Sequence, residues 1–247
     1  MGQPQVAYIE VDGRTIAYRK RNGTSPTLVF LPGYASDMEG EKALAIDRFA
    51  ETIDAGLLRL DYSGNGASGG TFEDGTLAIW IEDALAAIDR LTDGPLIVIG
   101  SSMGGWIALH LALRRPERVR AVVGIAAAPD FTDWGFPSNL KQRLGSGETL
   151  RRDSPYGGQQ VTTAAFWASG QQLLLLGAEI AVDCPVRLIH GEADPDVPVE
   201  IAMRTLRALR SADVQLQIIK GGGHRLSEPR EIATILSTVA QLLEPAA

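Results

Sequence analysis

The chain has 247 residues, a formal charge of −7, 45% hydrophobic and 21% charged residues. This is the balance of a globular domain able to bury about 70% of its unfolded surface, and the acidic charge argues against nucleic acid or an anionic membrane as main partner. The single cysteine, Cys184, excludes an internal disulfide and fits a reducing compartment; Met1-Gly2-Gln3-Pro4-Gln5 opens neither a signal peptide nor a presequence, and no apolar run approaches the ~18 residues of a membrane span, so the chain reads as cytoplasmic with no membrane insertion.

Val6–Val11 and Arg14–Tyr18 alternate around Asp12-Gly13, which predicts a hairpin. Thr27–Leu31 is a continuous apolar run, as in a strand buried on both faces. Lys42–Ile53 reads as a helix, Leu57–Leu60 as a strand, and Thr76–Leu91 as a helix with Leu77, Trp80, Ile81, Leu85 and Ile88 at three- and four-residue spacing. Leu96–Ile99, Gly104–Leu113 and Val119–Ile125 continue the strand, helix, strand rhythm. From about Phe131 to Asp183 the rhythm breaks, with no clean strand and a helical stretch around Ala164–Leu176. It resumes with Val186–Ile189, Glu200–Leu209, Val214–Ile219 and Glu228–Leu243, the last with Ser227 as expected N-cap and Pro229 in its first turn. These elements predict an α/β protein with a mostly parallel eight-stranded sheet and helices on both faces. The whole chain, 1–247, reads as one domain, with about 131–183 as a short helical lid insertion.

Gly100-Ser101-Ser102-Met103-Gly104 matches G-x-S-x-G between a buried strand and a helix, the context that gives the motif its meaning. A sharp turn there lifts the Ser102 hydroxyl above the sheet at the positive end of the next helix. A serine nucleophile needs a base. Of the three histidines, His110 lies two turns into the helix after Ser102 and reads as packing, and His190 ends a strand and reads as a turn-ordering residue. His224 follows Gly221-Gly222-Gly223 after the last strand, where a loop faces the crevice at the carboxyl edge of the sheet. The acid falls between them in His190-Gly191-Glu192-Ala193-Asp194-Pro195-Asp196, with Asp194 at the tip and Asp196 and Glu192 as rivals. Backbone N–H groups of Met103 and Tyr34, the latter in the Pro32-Gly33-Tyr34 loop, are the candidate oxyanion donors. Trp106, Trp134, Phe136, Phe166, Trp167 and Leu173–Leu176 suggest an apolar acyl pocket under the lid.

With these residues the chain resembles the α/β-hydrolase superfamily, whose serine, acid, histidine order is that of Ser102, Asp194 and His224. Asp61-Tyr62-Ser63-Gly64-Asn65-Gly66-Ala67-Ser68 is similar to the loop that follows the fourth strand of that family, and Asp61 by itself reads as a turn-stabilising acid. LPGYASDMEGEKALAIDRFA, LDYSGNGASGG, DGPLIVIGSSMGGW and CPVRLIHGEADPDVP are similar to the palmitoyl-protein thioesterase branch, which also includes acyl-glucuronide esterase activity. The resemblance implies hydrolysis of small-molecule esters, or of acylated protein and other thioesters, through an acyl-enzyme, needing no metal and no organic cofactor. C–C bond or lactone hydrolysis on the same residues, and a non-catalytic binding module of this fold, are the alternatives.

Overall fold

Asp12 and Gly13 both take positive φ, 47° and 78°, the conformation that a two-residue hairpin turn demands. They join β1 (Ala7–Val11) to β2 (Arg14–Arg21). The computed structural model describes residues 2–153 and 157–244; Met1, 154–156 and 245–247, which the sequence reading includes in the domain and lid ranges, lie outside the described residues. The strands that follow are β3 (Thr24–Leu31), β4 (Ala55–Leu60), β5 (Leu96–Ser101), β6 (Val119–Ile125), β7 (Leu150–Asp153), β8 (Gln159–Thr162), β9 (Val186–Gly191) and β10 (Val214–Ile219). The helices are α1 (Glu41–Thr52), α2 (Leu77–Leu91), α3 (Met103–Arg114), α4 (Phe131–Trp134), α5 (Ser138–Gly145), α6 (Ala164–Gln171), α7 (Val199–Ala208) and α8 (Pro229–Leu243).

Eight strands form one sheet in the order β1-β2-β4-β3-β5-β6-β9-β10. β1, β2 and β4 pair antiparallel, and every pairing from β4 to β10 is parallel. The apolar runs explain the order: β4 and β5 are buried at all positions and lie inside, while β10 carries alternating exposure at the edge. Alternate side chains feed two cores. Val29, Leu31, Leu58 and Val98 pack against α2 and α3, and Leu28, Phe30, Leu57 and Ile97 pack against α1 and α8.

Thr76 caps α2 by accepting from the Ile79 N–H at 3.2 Å. At α8 the expected cap, Ser227, is displaced by one residue. Glu228 is the N-cap and shares a reciprocal capping box with Glu231, with Pro229 at the first helical position. A glutamate cap escapes a reading that looks for serine or threonine first.

Between β6 and β9 the chain leaves the sheet. The expectation of no strand in 131–183 is corrected here: β7 and β8 pair antiparallel, Leu150 opposite Thr162. Their sequences, LRRD and QQVT, are short and mostly polar, so they carry no apolar alternation to read. Asp130 gathers both ends of this excursion. It is buried at φ 61°, and its carboxylate oxygens accept from the Leu175 and Leu176 N–H groups at 2.8 and 2.7 Å. Leu173 is held to α3, where its carbonyl accepts from Trp106 Nε1 at 3.2 Å and meets His110 Nε2 at 3.0 Å.

Candidate active site

The carboxyl ends of β5, β9 and β10 and the loop after β3 meet above the sheet, where a parallel α/β fold places its crevice. Ser102 joins β5 to α3 at φ 53° and ψ −118°, a conformation that costs a non-glycine residue about 1–3 kcal/mol. The surroundings impose it. The Ser102 N–H donates to the Ile125 carbonyl at 2.9 Å, and its own carbonyl accepts from Gly105 and Ala128 N–H groups at 2.9 and 3.0 Å. The glycine frame has a steric cause. A Cβ on Gly100 would lie 2.1 Å from the Gly104 carbonyl oxygen, and one on Gly104 would lie 2.2 Å from the Leu31 carbonyl oxygen. Strand and helix approach too closely there for any side chain.

Ser102 Oγ lies 3.1 Å from His224 Nε2, and His224 Nδ1 lies 2.8 Å from Asp194 Oδ2. The other Asp194 oxygen accepts from the Asp196 and Val197 N–H groups at 2.8 and 2.9 Å. Burial pushes the Asp194 carboxyl up, but the His224 contact and these N–H donors outweigh it and hold the pKa below the ordinary carboxylate value. Asp194, Asp196 and His224 each offer a possible metal-ligating atom within 4.8 Å of the others; Asp194 and His224 are committed to the bonds just given.

The acid and histidine loops are locked together. The Ala193 N–H donates to the Gly222 carbonyl at 2.9 Å, and a Cβ on Gly191 would lie 2.3 Å from that same oxygen. Glu192, a rival acid, pairs instead with Lys220 at 2.7 Å and accepts from the Gly221 N–H. Asp196 is exposed at the cavity rim. His190 lies beneath Asp194 and meets the Val197 carbonyl at 2.8 Å, so it orders the acid loop. His110 is eight residues past Ser102 in α3 and bonds Leu173, so it packs rather than reaches the site. Lys42, from α1, donates to the Arg225 carbonyl beside His224, and burial chiefly lowers its pKa to about 8.

The loop after β3 comes equally close. A Cβ on Gly33 would lie 3.3 Å from Ser102 Cβ and 4.0 Å from Ser102 Oγ. Tyr34 follows it in the cavity wall, and Met103 is the first residue of α3, where an N–H has no intrahelical acceptor. Asp61, read as a turn acid, holds this loop from below. It accepts from the Met38 N–H at 2.6 Å and from the Ala67 N–H at 2.9 Å.

A cavity of about 860 Å³ opens over Ser102 and His224. Phe131, Trp134 and Phe136 line it from the excursion, with Val197 and Ala128, while Lys42, Arg152 and Ser227 face it from other sides. The expected apolar pocket is therefore corrected in membership. Trp134 and Phe136 line it; Trp106 and Phe166 are buried in the core beneath, and Trp167 is tied to the Thr132 carbonyl at 2.9 Å. Lys42 and Arg152 escaped the sequence reading because a charged residue at a helix start or in a polar strand looks like any solvated charge.

Sheet order, crossover pattern and a strained serine at the strand-to-helix turn define the α/β-hydrolase class. The family described as alpha/beta hydrolase fold matches residues 26–150, and the chain belongs to it. It is 38% identical over 234 residues to the human "Palmitoyl-protein thioesterase ABHD10, mitochondrial", covering 93% of this chain and 76% of that protein. The solved structure of mouse alpha/beta hydrolase domain-containing protein 10 superposes with a TM-score of 0.91 at 33% identity, covering 97% of this chain and 98% of that one. A putative hydrolase from Agrobacterium vitis S4 gives 0.91 at 36% identity, with 97% and 99% covered.

The cytoplasmic expectation is overturned by these relatives, since the human, Pongo abelii and Bos taurus proteins are named mitochondrial. Cysteine count and net charge report a redox setting and solubility; neither encodes an organelle. No helix of the described residues is long and apolar enough to cross a membrane.

Proposed function

We propose that the chain cleaves carboxylic esters and acyl thioesters through an acyl-enzyme on Ser102, with His224 as general base and acid and Asp194 as its orienting carboxylate. That it is a hydrolase of esters or thioesters follows from the family and from relatives named thioesterases. The observation that carries the residue roles is the unbroken chain from Ser102 Oγ to His224 to Asp194, at 3.1 and 2.8 Å, on the floor of the cavity.

His224 Nε2 takes the Ser102 proton as Oγ attacks the acyl carbonyl. The oxyanion that forms is received by the backbone N–H groups of Met103 and Tyr34. Asp194 keeps Nδ1 protonated and steadies the imidazolium. Collapse expels the alcohol or thiol with the proton from His224. Water then attacks the acyl-enzyme, giving its proton to His224, and Ser102 is regenerated as the carboxylic acid leaves. We take 1–247 as one catalytic unit with 131–183 as its cap. Phe131, Trp134 and Phe136 would receive the acyl chain, which fits acylated protein cysteines or small apolar acyl esters.

Ser102→Ala is expected to lower kcat on p-nitrophenyl butyrate by at least about 10⁴-fold while circular dichroism stays unchanged. A fluorophosphonate is expected to label Ser102 and leave Ser101 free. Retained turnover in Ser102→Ala, or labelling at Ser101, rejects the assignment. A matched series of p-nitrophenyl esters and acyl thioesters then reads chain length and leaving-group preference.

A further inference from the structure

Tyr34 does two things at once. Its backbone follows Gly33, where an added Cβ would lie 3.3 Å from Ser102 Cβ, and its N–H is the oxyanion donor of the proposed reaction. Its side chain reaches the other way, out of the sheet frame and into the excursion between β6 and β9. The phenol donates to the Val161 carbonyl of β8 at 2.5 Å, and the neighbouring Thr162 hydroxyl also meets it. The ring is boxed by Phe166 at 4.7 Å and Phe131 at 5.8 Å from the excursion, and by Phe72 at 5.1 Å and Trp80 at 5.8 Å from the α2 side.

The rest of the loop is anchored to the core. The Met38 N–H is held by Asp61 at 2.6 Å, and the Met38 carbonyl accepts from the buried Arg59 guanidinium at 2.6 Å. Between these anchors and Tyr34 lies Ala35 at φ 53°, a conformation that alanine holds only under constraint. A strained peptide next to the donor needs restraint from both ends. The core supplies one end, and the Tyr34 hydroxyl supplies the other from β8. Burial raises the pKa of the phenol above its ordinary value, so it remains a proton donor throughout the neutral range.

We propose that the Tyr34 side chain is a positioning residue that couples the cap to the oxyanion site: its bond to β8 fixes the backbone N–H that receives the developing charge. Cap packing would then govern the chemical step as well as access. The proposal rests on the reading of Ser102 as nucleophile. It goes beyond that reading by giving the cap hairpin a part in catalysis, through a side chain that itself touches no substrate.

The test is Tyr34→Phe, which removes one oxygen and keeps the ring and the backbone donor. On p-nitrophenyl butyrate kcat is expected to fall about 10- to 100-fold, because a donor displaced by a fraction of an ångström loses much of its effect on the transition state. KM is expected to stay within about threefold. A trifluoromethyl ketone, which forms a bond from Ser102 Oγ to its carbonyl carbon and leaves an oxyanion in the same place, should show Ki raised by the same factor as kcat falls. Thr162→Val, which takes away the second polar contact of the phenol, should shift kcat and Ki the same way by a smaller factor, and decides the matter if Tyr34→Phe does not fold. An unchanged kcat, or a loss carried by KM with the ketone Ki unmoved, overturns the proposal. Ser102→Ala measured alongside separates the two failures, since activity surviving in that variant rejects the nucleophile, whatever Tyr34→Phe does.

Discussion

Ser102 holds a backbone angle that serine avoids, and three backbone hydrogen bonds keep it there. The same economy governs Asp194, whose two oxygens divide their work: one faces His224, and the other is spent on the N–H groups of Asp196 and Val197. Asp194→Asn would leave that loop bond in place while presenting an amide to Nδ1, so the wrong tautomer of His224 would be favoured. We expect kcat to drop by about 10³–10⁴-fold, against less than about threefold for Asp196→Asn, in parallel assays at pH 7.5. The reverse ranking would transfer the acid role to Asp196. These residues were legible because each carries a local sign: a glycine-framed serine, a strand-ending His-Gly before an acidic loop, and a glycine run before a histidine. The Tyr34 hydroxyl was not, because its partner is 127 residues away and offers only a main-chain carbonyl. No spacing rule reaches a contact of that kind.

At the scale of elements, the β5–α3 junction leaves no room for a side chain on its glycines. A methyl group on Gly104 would sit 2.2 Å from the Leu31 carbonyl oxygen and 2.6 Å from that of Pro32, both backbone atoms that cannot swing aside. Gly104→Ala is therefore expected to destabilise by about 3 kcal/mol or more, read as a shift of the urea midpoint; a midpoint equal to wild type would mean the junction yields more easily than its contacts indicate. The main sheet and its flanking helices followed from apolar runs and three- and four-residue spacing, and Val119–Ile125 and Val214–Ile219 match the reading at both ends. β7 and β8 did not, since a half-exposed polar hairpin satisfies its backbone in pairs and leaves the side-chain pattern free. Glu228 likewise caps α8 by a carboxylate, where Ser227 carried the commoner signal.

Across the whole molecule, two apolar layers enclose the sheet, and some of the ionisable groups buried in the fold carry no opposite charge beside them. His110 is one. Burial lowers its pKa from 6.5 to about 4, with the Leu173 carbonyl only partly opposing. The folded state thus resists a proton that the unfolded chain accepts from pH 6.5 downward. Stability is full above that value and falls as pH drops toward 4, by about 3 kcal/mol from this group at 1.36 kcal/mol per pH unit. His110→Gln keeps an N–H donor toward Leu173 without a titrating ring, so its unfolding free energy should decline less between pH 7 and 4. Parallel curves for the two proteins would show that His110 contributes nothing to acid sensitivity. The Asp130 carboxylate carries a different consequence. The loop that departs after β6 and the chain that returns at Leu175 and Leu176 meet on a single side chain. A segment whose two ends are stapled at one point can be lengthened, shortened or exchanged without altering the spacing of the strands it interrupts. Evolution can thus rewrite what this enzyme accepts by swapping the stapled piece, provided the new piece keeps an acceptor for the Tyr34 hydroxyl where β8 now supplies one.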